Sequence, residues 1–118
     1  MTRIFLVVVL FLSVAVDTGA HAVLERAEPR PASKVRTMPG EVKLWFTENL
    51  EPAFSTIRVL DAQGQRVERD DARVDAVNSA LLRVTLLPLE AGPYRVVWRV
   101  VSVDTHVSQG QFTFAFVP

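Results

Sequence analysis

From residue 40 onward the apolar positions fall into short runs that alternate with polar ones, the period-two pattern of strands with one buried face. In "EVKLWFTE", residues 41–48, Val42, Leu44 and Phe46 share one face and Lys43, Trp45 and Thr47 the other. "STIRVL" repeats the pattern, and "DAQGQ" after it reads as a turn in which Gly64 takes a positive φ. "LLRVTL" sets Leu82, Val84 and Leu86 against Leu81, Arg83 and Thr85, and "PLEAGP" interrupts it. "YRVVWRVVSVD" then directs Tyr94, Val96, Trp98 and Val100 to one side, and "QFTFAFV" brings Phe112, Phe114 and Phe116 into phase as core residues.

No helical periodicity of comparable length appears. About seven short strands, punctuated by proline and glycine, predict an all-β domain with Greek-key connections, either a β-sandwich or a small barrel. "ERAEPRPASKV" carries Pro29 and Pro31 and is expected to run as an extended arm along the domain edge. "RDDARVDAVNS" is the most loop-like internal stretch, and its charges read as a solvated surface.

Residues 1–20 break this pattern. One cation, Arg3, precedes an apolar run from Ile4 to Val16, and small and polar residues lead to Ala20, the layout of a secretory signal. The run is shorter than the ~20 residues that span a bilayer, so no membrane insertion is expected once it is removed. Removing it from the 118 residues leaves 98 (21–118), enough for one domain with one core. That domain is expected to be periplasmic or otherwise exported. Cleavage after Ala22 fits the small-residue rule as well as cleavage after Ala20.

Composition narrows the chemistry. With no cysteine, thiolate metal sites, dithiol redox chemistry and disulfides are all excluded. Thirteen basic residues balance thirteen acidic ones, and Arg3 and Asp17 leave together, so the mature domain is also neutral and offers no field for nucleic acid.

Both histidines sit at informative places. Cleavage after Ala20 makes His21 the first residue, whose α-amine and Nδ1 can chelate one ion in a six-membered ring. Near the other end, Asp104 and His106 are separated by one residue, and in an extended chain such a pair shares a face about 6.6 Å apart at the backbone, so that carboxylate and imidazole can converge on one ion. Alone, an Asp-x-His pair is more often a surface hydrogen bond. Joined to His21 it supplies two or three nitrogens and one oxygen, the donor set suited to tetragonal Cu(II).

The segments "HAVLERAEPRP", "VKLWFTENLEP" and "LEAGPYRVVWRVVSVDTHVSQGQFTFAF" resemble the CopC family of periplasmic copper-binding proteins, over nearly the whole of residues 21–118. The resemblance implies a cupredoxin-like fold, a Cu(II) site built from His21, Asp104 and His106, and Glu48 near the metal. It also implies copper buffering, resistance or delivery to a membrane copper protein, without catalysis. The chain departs from the family at Thr105 and Val107, where many relatives carry glycine and proline. After Met1, only Met38 could supply a thioether, so a soft Cu(I) site is not expected. Two other readings stay open: a copper oxygenase of the kind that pairs an N-terminal histidine with a second one, as in lytic polysaccharide monooxygenases, and a metal-free Ig-like interaction module.

Overall fold

The computed structural model describes residues 2–4 and 21–118, so the signal segment lies almost wholly outside the described residues. Eight strands follow: β1 Leu24–Glu28, β2 Lys34–Val35, β3 Glu41–Phe46, β4 Thr56–Leu60, β5 Arg73–Val74, β6 Leu81–Thr85, β7 Gly92–Val101 and β8 Val107–Phe116. Among the described residues, one 3-10 turn, Pro52–Phe54, precedes β4. The strands form two four-stranded sheets, ordered β1-β3-β6-β5 and β2-β8-β7-β4. All pairings are antiparallel except β2 with β8. The two sheets make this a sandwich, and the two-residue strands β2 and β5 take the count to eight.

The alternation places the core where the sequence predicts. Val42, Leu44 and Phe46 of β3, Ile57 and Val59 of β4, Leu82 and Val84 of β6, and alternate residues of β7 are buried in one cluster with Phe114 and Phe116. Phe112 packs against that cluster half-buried. Trp98 is fixed between Phe46, whose ring meets it edge-on at 5.1 Å, and Gly110, where an added Cβ would lie 2.5 Å from the indole. Tyr94 stacks on Phe114 at 5.5 Å and donates its hydroxyl to the Glu90 carbonyl, the kind of back-bond that pins strand entry in Greek-key sandwiches. Gly64 has φ 77° in the turn after β4.

The proline-bearing arm is the edge segment of both sheets: it pairs with β3 as β1 and then with β8 as β2. A bulge interrupts β1, because Leu24 pairs with Phe46 but Arg26 with Trp45. The extra residue explains why Ala22 and Ala27, an odd number of positions apart, are both buried at 2%.

On the outer face of the first sheet the charges of the 69–79 stretch are more organised than a solvated loop. Arg83 binds Glu41 at 2.7 Å and Asp75 at 2.8 Å, and Arg73 binds Asp71 at 3.2 Å. The Arg83 guanidinium, then the Asn78 and Val77 amides, hold the Asp75 carboxyl down to about 2. A carboxyl lowered on folding contributes stability that is complete above the ordinary carboxylate range and is lost as pH falls toward its folded value. Urea midpoints should therefore drop between about pH 4 and pH 2. Asp75→Asn should lower the midpoint at neutral pH and flatten that acid limb; an unchanged limb would remove Asp75 from the network.

Candidate metal centre

The two histidines meet at one end of the sandwich. His21 precedes β1, His106 ends the β7–β8 connection, and their ring centroids are 4.7 Å apart with the planes tilted by 48°. His21 is exposed and His106 half-buried. The N-terminal segment is held in place by its neighbours: Ala22 is buried, the Val23 amide donates to Thr47 Oγ1 at 2.9 Å, and the Thr47 amide donates to the Val23 carbonyl at 2.9 Å.

Asp104 and His106 belong to a turn rather than to an extended strand. The Thr105 amide donates to the Ser102 carbonyl at 2.8 Å, and the Ser102 amide donates to the His106 carbonyl at 2.9 Å. This folding brings Asp104 Oδ2 to 3.4 Å from His106 Nδ1. The Ser102 hydroxyl donates to the other Asp104 oxygen. That hydrogen bond first, and the neighbouring His106 next, hold the Asp104 carboxyl below its ordinary range, so it is a carboxylate at neutral pH.

Glu48 is half-buried between two tethers. Thr47 before it binds the segment after His21, and the carbonyl of Asn49 after it accepts from the Val103 amide at 3.0 Å, within the turn that carries Asp104. The structure therefore brings His21 beside His106 and Asp104 beside His106, and sets Glu48 in the strand end that holds both segments. Among the described residues, no three His, Asp or Glu side chains gather as a ready-made cluster. In the full chain the His21 nitrogen is a peptide nitrogen and adds no donor to such a count. Two supporting residues escaped the sequence reading. Ser102, fully buried, stands two positions before Asp104 as a hydroxyl among valines, and Thr47 stands in line with the outer face of β3.

Thr105 has φ 74°, the left-handed region in which a β-branched residue is strained. Glycine adopts this conformation without steric cost. Thr105→Gly should raise stability by about 0.5–1 kcal/mol in urea unfolding, the relief exceeding the extra entropy of the unfolded glycine. A destabilised variant would mean that the turn does not need this backbone conformation.

No helix among the described residues is long and apolar enough to cross a membrane. The chain is 31% identical over 117 residues to the copper transport protein CutJ of Bacillus subtilis; the alignment takes in 96% of this chain and 21% of CutJ, so the chain spans about a fifth of that relative. It is 33% identical over 101 residues to copper resistance protein C of Pseudomonas syringae pv. tomato, covering 80% of this chain and 79% of that one. The crystal structure of CopC from Methylosinus trichosporium OB3b superposes with a TM-score of 0.78 at 35% identity, covering 83% of this chain and 95% of that one. Residues 24–117 match the model of the CopC domain, and with that match, these relatives and the shared sandwich, the chain belongs to the CopC family.

Proposed function

We propose that the protein, shortened to begin at His21, is an exported carrier that binds Cu(II) through the His21 α-amine and imidazole, His106 and Asp104. In this reading it buffers copper or passes it to a membrane copper protein. The observation that carries the reading is the approach of the His21 and His106 rings to 4.7 Å from distant parts of the sequence, with the Asp104 carboxylate 3.4 Å from His106. Imidazole and amine nitrogens with one carboxylate oxygen suit Cu(II). Burial of Ala22 supports cleavage after Ala20, since cleavage two residues later would remove a side chain that fills the core. CutJ, a copper transport protein in which a segment like this chain is about a fifth of the whole, supports a transport protein as partner.

Catalysis is a poorer fit. A carboxylate kept ionised beside the histidines stabilises Cu(II) and opposes the reduction that oxygen chemistry requires.

Ligand substitutions test the assignment. His106→Ala removes a nitrogen donor and should weaken Cu(II) binding by more than about 100-fold, whereas Glu48→Ala removes a neighbouring charge and should cost less than about tenfold. Affinity should fall as pH drops, because the nitrogens bind only when deprotonated. Equal losses would put Glu48 on the metal. Undiminished binding by His106→Ala would overturn the site.

A further inference from the structure

The two outer faces of the sandwich are charged differently. On the first sheet, Arg26, Arg73 and Arg83 are each paired with a carboxylate. On the second, Arg58, Arg95 and Arg99 point outward, since the alternate residues Ile57, Val59, Val96, Trp98 and Val100 fill the core. Strands β4, β7 and β8 contain no aspartate or glutamate at all. Among the described residues, none of these three arginines is ion-paired.

We propose that this face is the docking surface for an acidic, extended segment of the protein with which the carrier exchanges copper. A groove of about 590 Å³ runs along it, bounded by Thr56, Arg58, Val97, Arg99, Gln109 and Gln111. Arg95 and Arg99 lie four residues apart on β7, about 13 Å, the spacing of carboxylates at i and i+4 of an extended segment laid along the strand. Arg58, opposite Val97 on β4, stands between them in register. Guanidinium forks match carboxylates two bonds at a time, and the glutamine amides and the Thr56 hydroxyl can meet the segment's polar groups.

The face is continuous with the metal-binding end. The Arg99–Gln109 pair lies two positions before Val101–Val107, the last pair of the hairpin whose tip carries Asp104 and His106, about 7 Å along the strand. Val103 and Val107, 54% and 46% exposed, form an apolar rim at that tip. A protein held on the arginines would therefore reach the copper end across an apolar contact. The protein's formal net charge of zero argues against an anionic bilayer as occupant, since a bilayer is sought through a long-range field that this chain lacks. The link to copper exchange rests on the function proposed above; the docking surface rests on the arginines alone.

The test titrates the metal-free protein beginning at His21, labelled with ¹⁵N, with a ten-residue peptide bearing glutamates at i and i+4. The same peptide with glutamines and vesicles of phosphatidylglycerol form parallel arms. Saturable amide shifts confined to β4, β7 and β8 are expected with the glutamate peptide only. Combined R58Q, R95Q and R99Q should weaken that binding at least tenfold, Arg26→Gln should leave it unchanged, and none of these should alter Cu(II) affinity. If the triple glutamine variant fails to fold, the triple lysine variant keeps the charge without the fork and should weaken binding severalfold. Equal shifts with the glutamine peptide, or undiminished binding by the triple variants, would overturn the proposal. A response to vesicles with none to the peptide would overturn it too, and assign the face to lipid. Because no copper is present, failure here leaves the metal site standing, and loss of Cu(II) binding in His106→Ala leaves this surface standing.

Discussion

A variant with one additional residue ahead of His21 should bind Cu(II) at least about 100-fold more weakly than the protein that begins there, because two donors on one residue make closure of the second bond intramolecular. The additional residue leaves the His21 imidazole beside His106 but turns the α-amine into a peptide nitrogen, a far poorer ligand at neutral pH. The electron-paramagnetic spectrum should report fewer nitrogen donors. Thermal stability without copper should stay nearly constant, since burial of Ala22 and the Val23–Thr47 hydrogen bonds do not involve the amine. Isothermal titration and the spectrum of both proteins decide the matter. Identical affinities and spectra would leave His21 acting through its side chain alone.

Phe114→Ala should destabilise the domain by about 3–5 kcal/mol while sparing copper binding. Phe114 is 2% exposed and stacks on Tyr94 across the β7–β8 pair, so truncation leaves a cavity in the middle of the core. Such a loss is a large part of the ~5–15 kcal/mol that holds a domain folded, and this chain has no disulfide to offset it. Phe114 lies seven residues along β8 from Val107, about 23 Å from the hairpin tip, so the folded fraction should bind Cu(II) as before. Phe112→Ala, at a half-buried position, should cost less. Urea unfolding paired with copper titration of the folded fraction separates the two effects; equal costs at 112 and 114 would contradict the packing described here.

Strand faces were legible because alternation is a local property, visible in Val42, Leu44 and Phe46 without knowledge of any partner strand. The bulge in β1 was not, since an unpaired residue is defined only against the opposite strand, and without it Ala22 falls on the wrong face. The same limit applies to charges. Glu41 and Asp75 meet at Arg83 only because β3, β6 and the β5 region are neighbours, so a stretch that reads as solvated carries a half-buried network. At the candidate centre, donor chemistry singled out His21, Asp104 and His106, but the turn that joins Asp104 to His106 was not legible, because the left-handed backbone at Thr105 replaces the extended geometry. Ser102 was hidden for a related reason: its role depends on the direction of the turn that follows it.

His21 leads into β1 of the first sheet, whereas His106 closes the hairpin of the second. An ion shared by them would therefore span the sandwich and close a ring through most of the chain, as a disulfide does in small secreted domains. In a protein without cysteine, the cargo would then also be the clasp. Loading would tighten the open end of the sandwich and unloading would release it, so a receiving protein would meet a stiffer surface on the loaded carrier than on the empty one.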